Sequence, residues 1–132
     1  MATEKPQKTA LERAQRTGET AASKGFDWST AMGAMAKIEE EWLELKREIE
    51  VDASRARKHQ EVGDLLFAVV NVVRHLDLDA EEALMDGVDR FEARFQEMER
   101  IAKAQGKNLA AFSLDEMEAL WRQAKSRQEG AT

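Results

Sequence analysis

Two segments with helical apolar spacing most constrain the fold of this chain. The second of them, from Leu65 to Val73, is apolar at every position except Asn71 and lies in a longer helical pattern. Because such a helix has no polar side, we expect it to be the central buried element. The first segment places large apolar side chains three or four residues apart, on one side of a helix. These residues are Met32, Met35, Ile38, Trp42, Leu45 and Ile49.

Further helices are predicted on both sides of these two segments. The sequence has one proline and seven glycines in 132 residues, which argues against a turn-rich β-sandwich. A first helix is expected over about residues 8–23, and Ser29 is the expected N-cap of the second. The stretch 51–58 is polar and is expected to connect the second helix to a third over about 57–76. The pairs Asp79/Glu82 and Ser113/Glu116 have the spacing of capping pairs that open two more helices.

The predicted fold class is therefore all-α, a bundle of four to five helices. The length suits a single domain, which we place at residues 8–127 between flexible tails at 1–7 and 128–132. Gly106 suits the end of the fourth helix.

Composition excludes several classes of function. The chain has no cysteine, so disulfides, thiolate metal sites and cysteine nucleophiles are excluded. The net charge of −6 argues against binding to long nucleic acid or to an acidic membrane surface. The longest apolar run is too short to span a bilayer, and residues 1–10 lack the apolar stretch of a secretory signal. We therefore expect a cytoplasmic protein.

Two pairs of carboxylates occupy equivalent positions on the second and third helices. Glu41 and Glu44 are three residues apart, as are Glu61 and Asp64, so each pair shares a helix face. If the chain reverses between residues 52 and 53, Glu41 lies opposite Asp64 and Glu44 lies opposite Glu61 at the same heights. The antiparallel hairpin therefore predicts four carboxylates in one small volume.

Such a cluster repels itself unless a cation neutralises it. An oxygen-only set of ligands favours Mg²⁺, with Mn²⁺ as a substitute. A ferritin-like di-iron site would need Glu-x-x-His pairs, but the residues three before His75 and His59 are Val72 and Ala56. The alternative is that these acids are ordinary solvated charges, since 26 of 132 residues are acidic.

Read as text, the two acidic segments resemble the EExxE…ExxD signature of the all-α nucleoside triphosphate pyrophosphohydrolases. The first is Glu40-Glu41-Trp42-Leu43-Glu44, and the second begins the run EVGDLLFAVVNVVRHL at Glu61. This run resembles the MazG branch, as do GFDW at 25–28, FEARF at 91–95 and MEALW at 117–121. The resemblance extends from about Leu11 to Lys125 and is to the C-terminal MazG domain of two-domain MazG proteins.

The resemblance implies an activity and a set of catalytic residues. Glu41, Glu44, Glu61 and Asp64 would hold Mg²⁺, and water would cleave the α–β phosphate bond of a nucleoside triphosphate. The products would be a nucleoside monophosphate and pyrophosphate, in a house-cleaning or nucleotide-pool role. Glu40, the extra acid of the motif, would be a general base or an outer-shell partner, so that Glu40, Glu41 and Glu61 are the catalytic candidates.

Substrate-binding candidates follow from the same resemblance. Similar chains often read N-x-K-F-x-x-R-F where this one has Val88, Arg90 and Arg94, so the two arginines are expected to contact phosphates. Arg90 keeps the charge of the lysine, whereas Val88 loses a polar contact. The alternative for both arginines is a solvated helix face.

Four further positions complete the list of substrate-binding candidates. Trp121 and Lys125 are four residues apart and resemble a base-contacting pair, the alternative being a tryptophan packed in the core. Trp28 is another aromatic candidate for the base, against simple capping of the bundle end. Arg57 lies one turn before Glu61 and would face either the phosphates or solvent.

The apolar hairpin also predicts self-association, because four or five helices leave hydrophobic surface that one chain does not cover. MazG-like proteins are generally oligomeric through these helices, which implies a homodimer or a dimer of dimers.

Two alternatives for the function stay open. One is a sibling with narrow specificity for dUTP, dCTP or phosphoribosyl-ATP, and the other is a non-catalytic helical module that binds a partner.

Overall fold

The computed structural model describes residues 9–130 and consists of α-helices joined by short connections. The helices are α1 (Ala10–Ser23), α2 (Ala31–Glu50), α3 (Arg55–His75), α4 (Ala80–Ala104) and α5 (Leu114–Gly130), with a 3₁₀ turn at Leu109–Ala111. The predicted all-α class is confirmed. None of the helices in this range is long and apolar enough to cross a membrane.

The ends of the chain differ in part from the expected boundaries. Residue 8, the expected start of the first helix, lies outside the described residues, as do the predicted tail 1–7 and residues 131–132. Residues 128–130 continue α5, three residues beyond the predicted domain end. The chain divides into two compact units, one up to Ala83 and one from Leu84 onwards. A single domain over 8–127 stays a prediction.

Side-chain caps fix where the helices begin. The predicted Ser29 cap of α2 is wrong, because extended Thr30 supplies it, its Oγ1 accepting from the Gly33 amide at 3.0 Å. The Asp79 cap is confirmed, since its Oδ1 accepts from the Glu82 amide at 2.9 Å. Ser113 and Glu116 form the predicted reciprocal capping box, with bonds of 2.9 and 3.2 Å.

In the first unit, α2 and α3 form a helical hairpin, and α1 packs against α3. The reversal occurs at Asp52, whose φ of 48° is a left-handed conformation that aspartate tolerates. The approach of α1 to α3 is close at Gly18, which is buried. A Cβ atom there would lie 2.5 Å from Asn71 Oδ1 and 2.9 Å from Arg74 Nε. A glycine is therefore what allows the two helices to come this near.

The expectation that α3 is buried on nearly every side is wrong within this chain. Ala68, Val70 and Val72 are buried, but Leu66 is 57% exposed and Val69 is 39% exposed. The physical reason is that α1 and α2 cover only part of the circumference of α3. An apolar surface therefore remains uncovered on the central helix.

The second unit has a small core of its own between α4 and α5. Buried side chains from both helices form it, and Trp121 and Phe112 pack against its edge. The buried members are Met98, Ile101, Ala102, Leu120 and Ala124. Gly106 adopts the left-handed conformation predicted for the end of α4, with φ of 73°.

Candidate active site

The hairpin of α2 and α3 brings the predicted carboxylates together. Glu41, Glu61 and Asp64 each offer an oxygen, and these oxygens all lie within 4.8 Å of one another. Glu44 is not part of that group, but its carboxylate reaches Glu61 through a hydrogen bond and through charge. The arrangement is a set of three converging acids with a fourth beside them.

An ion pair one turn farther along supports the register of the hairpin. Arg57 Nη2 lies 2.9 Å from Glu48 Oε1, which places these two residues opposite each other on α3 and α2. The same pairing puts Glu44 level with Glu61 and Glu41 level with Asp64. Opposed residues on two antiparallel helices therefore build the site, as the spacing predicted.

The carboxylates differ in protonation because their surroundings differ. Glu41 is only 5% exposed, and Lys37 Nζ lies 3.1 Å from its Oε1. Burial by itself raises the pKa of the Glu41 carboxyl, but hydrogen bonds from Lys37 and Glu61 outweigh burial and leave the pKa below its usual range. Burial, together with hydrogen bonds and repulsion from Glu41 and Glu44, raises the pKa of Glu61 to about 7. The pKa of Glu61 therefore lies above that of Glu41, so Glu61 keeps its proton to higher pH.

Unpartnered oxygens at the centre of the site fit a hard cation. Among the residues that the structure describes, Glu41 Oε2 and Glu61 Oε2 are buried and have no hydrogen-bond partner. Buried acceptors of this kind are costly unless a donor or a cation meets them. Carboxylate oxygens without histidine or cysteine are the ligands that Mg²⁺ and Mn²⁺ prefer. The donor set therefore fits the predicted metal.

The raised pKa of Glu61 predicts how metal-free protein responds to pH. Its carboxyl has an ordinary pKa of 4.5 and a pKa of about 7 in the folded chain, so the folded state binds more protons between these values. Stability is therefore expected to fall as pH rises from about 4.5 to 7, with the penalty complete above 7. Melting temperatures in EDTA at half-unit pH steps measure this fall.

The matched variant for that measurement is Glu61→Gln, which keeps the shape and removes the titration. Its melting temperature is expected to change less between pH 5 and 7 than that of the wild type. Arg100 and Arg127 hold the pKa of Glu97 at about 2. Glu97 therefore titrates below pH 5 and does not contribute to the change between pH 5 and 7. The same change of melting temperature with pH in both proteins would contradict the raised pKa of Glu61.

Other predicted site residues of the first unit lie at or near the hairpin. Glu40 is exposed, and its Oε1 lies 3.4 Å from Lys37 Nζ, so it shares a lysine with Glu41. The guanidinium of Arg57 is engaged with Glu48 and is largely exposed. Trp28 lies in the turn before α2 and lines a cavity beside α3.

The remaining candidates belong to the second unit. Arg94 stacks over Trp121, with its Cζ 5.4 Å from the ring centroid, and its Nε donates to Gln128 Oε1 at 2.5 Å. The Phe91 ring lies 5.2 Å from Trp121 on centroids. Arg90 and Lys125 are exposed. Trp121 thus packs against the core edge and also carries a cation on its ring.

Sequence reasoning missed two polar groups of the first unit. Lys37 stabilises Glu41, and its spacing of four residues on one helix was the available signal. Asn71 is buried inside the apolar run, and its Oδ1 accepts from Arg74 Nη2 at 3.2 Å. Arg74 in turn donates to both carboxylate oxygens of Asp27, which also contacts His75 at 2.9 Å. A single asparagine among valines gave no sign of this network.

Comparison with known proteins finds relatives named nucleoside triphosphate pyrophosphohydrolase. No family model matches the chain. It is 43% identical over 121 residues to "Nucleoside triphosphate pyrophosphohydrolase" of Escherichia coli K12, across 91% of this chain. It is 38% identical over the same length to "Nucleoside triphosphate pyrophosphohydrolase/pyrophosphatase MazG" of Thermotoga maritima. The chain is a homologue of MazG.

The MazG relatives are longer than this chain. The chain spans 46% of the length of each of these two proteins. A Bacillus subtilis protein, "Uncharacterized protein YabN", is 48% identical over 65 residues, which are 49% of this chain and 13% of that protein. The expected resemblance to MazG is confirmed, and the part of the MazG sequence involved is about half.

Proposed function

We propose that this chain hydrolyses nucleoside triphosphates to nucleoside monophosphate and pyrophosphate, with Mg²⁺ or Mn²⁺ held by Glu41, Glu44, Glu61 and Asp64. The observation that carries the proposal is the convergence of carboxylate oxygens within 4.8 Å, two of the carboxylates having a buried oxygen without a partner. The names of the MazG relatives support the same reaction. A house-cleaning or nucleotide-pool role and a cytoplasmic location stay predictions.

The reaction is attack of water on the α-phosphorus, with pyrophosphate as the leaving group. When bound, the metal would supply positive charge to the phosphate oxygens and lower the pKa of water. Lys37 keeps Glu41 ionised for this task, and Glu61 must give up its proton. Glu40, exposed beside Lys37, is the candidate to accept the proton of the attacking water or to act as an outer-shell partner.

The substrate-binding residues are proposed on charge and aromatic character. Arg90 and Arg94 would contact phosphates. The guanidinium of Arg94 lies over the ring of Trp121. Trp28, Trp121 and Lys125 would contact the base or the phosphates. Arg57 would have to leave Glu48 to reach a phosphate.

A pyrophosphate-release assay tests the proposed function. Purified protein with Mg²⁺ is given each of the common NTPs and dNTPs, dUTP and phosphoribosyl-ATP, and monophosphate and pyrophosphate are measured together. We expect equimolar amounts of both products. Activity on one of dUTP, dCTP or phosphoribosyl-ATP alone would indicate the narrow-specificity alternative. If folded protein releases no pyrophosphate from any of these substrates, the proposed hydrolase activity is contradicted and a partner-binding module is favoured.

We also propose a homodimer or a dimer of dimers. Large apolar side chains stand exposed in one row on α2 and another on α3, and solvent exposure of rows of this size marks an interaction surface. The rows are Met32, Met35, Trp42 and Ile49 on α2, and Val62, Leu66 and Val69 on α3. Trp42 of the first row directly follows Glu41 in the sequence, and Val62 of the second row directly follows Glu61.

A charge in the exposed row of α3 is expected to break the assembly. Leu66→Glu would place a carboxylate where the partner's apolar surface packs, which costs several kcal/mol per site because the charge loses its water. Light scattering coupled to gel filtration should then show a lower mass than for the wild type. Gln60→Glu, an exposed change on the same helix, is the control and should keep the wild-type mass. Equal masses for Leu66→Glu and wild type would contradict the interface.

A further inference from the structure

Lys37 lies at the edge of the carboxylate cluster, on the same face of α2 as two of its members. Lys37, Glu41 and Glu44 follow one another at intervals of four and three residues, so their side chains share one side of the helix. In the register of the hairpin, the residue of α3 level with Lys37 is Ala68, which is buried and carries no charge. Within the described residues, the ion pairs of Lys37 are with two acids of its own helix.

The two ion pairs of Lys37 differ because their acids differ in burial. Its Nζ lies 3.1 Å from Glu41 Oε1 and 3.4 Å from Glu40 Oε1. The side chain of Glu41 is 7% exposed, whereas that of Glu40 is 57% exposed. An ion pair with an exposed acid contributes little because water and salt screen both charges, and a buried acid is screened much less. The stronger of the two contacts is therefore the one with Glu41.

Lys37 distinguishes the two oxygens of the Glu41 carboxylate. Oε1 faces the ammonium group, and Oε2 is buried without a hydrogen-bond partner in the part of the chain that the structure describes. Glu61 Oε2 is in the same condition, and both residues belong to the group whose oxygens lie within 4.8 Å of one another. The oxygen that Lys37 leaves unbonded is therefore the one available to a cation.

Repulsion within the cluster opposes this orientation of Glu41. Like charges face each other here, since Glu41 and Glu44 both repel the carboxylate of Glu61. A glutamate side chain has several rotamers, and one that turned the carboxylate towards water would relieve the repulsion. The ammonium group at Oε1 compensates one negative charge and holds the carboxylate where it is.

We propose that Lys37 is a positioning residue for the divalent metal, acting through Glu41. By holding Oε1, it keeps Oε2 oriented for the ion. This inference rests on the proposed function, because the ion is the one proposed there. A lysine that only added positive charge would repel a divalent cation and weaken its binding. The two roles therefore predict opposite effects of removing the ammonium group.

The decisive variant is Lys37→Met, which keeps an unbranched side chain and removes the charge. Changes to groups that orient a metal ligand typically cost about 10–100-fold in metal affinity. We therefore expect the dissociation constant of Mn²⁺ to rise at least about tenfold. Metal-free protein is titrated with Mn²⁺ in the absence of nucleotide, and electron paramagnetic resonance follows the signal of the free ion.

Three further variants show whether the effect acts through Glu41. Lys37→Arg keeps the charge and the donors and should restore most of the wild-type Mn²⁺ affinity. Lys46→Met removes the same charge from an exposed position of α2 and should bind Mn²⁺ as the wild type does. Glu40→Gln removes the other ion pair of Lys37 and should also leave the Mn²⁺ affinity unchanged. Circular dichroism establishes that each variant is folded.

The outcomes separate the role of Lys37 from the reaction. Mn²⁺ binding by Lys37→Met that equals or exceeds that of the wild type would overturn the positioning role and leave the proposed function standing. In the opposite case, wild-type protein binds Mn²⁺, Lys37→Met binds it more weakly, and neither releases pyrophosphate from any nucleotide. That result would support the role of Lys37 and contradict the proposed function alone.

Discussion

Replacing Glu61 by glutamine is expected to lower pyrophosphate release at least about 100-fold while the helical circular dichroism stays that of the wild type. Glu61 supplies one of the three converging oxygens, and an amide lacks the negative charge by which a carboxylate binds a hard cation. Changes even to groups that only orient a metal ligand typically cost about 10–100-fold. Initial rates at saturating Mg²⁺ and at a series of lower Mg²⁺ concentrations measure the loss.

Glu39→Gln is the matched control for that experiment. Glu39 is an exposed glutamate on α2, two residues from Glu41, and its replacement makes the same change of charge. We expect wild-type rates and an unchanged Mg²⁺ requirement. A Glu61→Gln protein that retains most of its activity would show that the metal assignment is wrong.

The second large effect is expected at Gly18, where α1 meets α3. The methyl group of Gly18→Ala would lie 2.5 Å from Asn71 Oδ1, and both Asn71 and Arg74 are held by hydrogen bonds. Overpacking of this kind costs about 1–3 kcal/mol, which exceeds the gain of about 1 kcal/mol in helix propensity. The free energy of unfolding from urea titration is therefore expected to decrease.

Gly63→Ala is the control with the opposite expected sign. Gly63 lies inside α3, is exposed, and a Cβ atom there would meet nothing within 4 Å. Only the propensity gain of about 1 kcal/mol remains, so this variant should unfold at a higher urea concentration than the wild type. Stabilisation by both substitutions would mean that α1 and α3 do not approach closely at Gly18.

Much of the fold was predictable because its signals are local. Apolar spacing of three and four residues gave α2, and side-chain caps at Asp79 and Ser113 gave the starts of α4 and α5. The cap of α2 was misplaced by one residue, since adjacent Ser29 and Thr30 are chemically equivalent as caps. The choice between them depends on the backbone conformation of the turn, which the residue types do not specify.

The carboxylate cluster was predictable because it depends on two regular features, the rise of a helix and the position of one reversal. Once the chain turns at Asp52, Glu41, Glu61 and Asp64 must come together. Lys37 and Asn71 were missed as polar groups of the first unit. Lys37 could have been found from its spacing of four residues from Glu41. The surroundings of Asn71, in contrast, depend on segments distant in sequence, through the ion pair of Arg74 with Asp27 and the close approach of Gly18.

By itself, the sequence determined the helical class, the hairpin register, the four candidate metal ligands and the resemblance to MazG. The resemblance depends on matching motifs, whereas the other three depend on periodicity and spacing, which are properties of neighbouring residues. Only the tertiary structure decided that α3 keeps an exposed apolar side and that burial and the neighbouring carboxylates raise the pKa of Glu61. Burial and electrostatic surroundings are set by which distant segments pack together, and spacing along the chain does not contain that information.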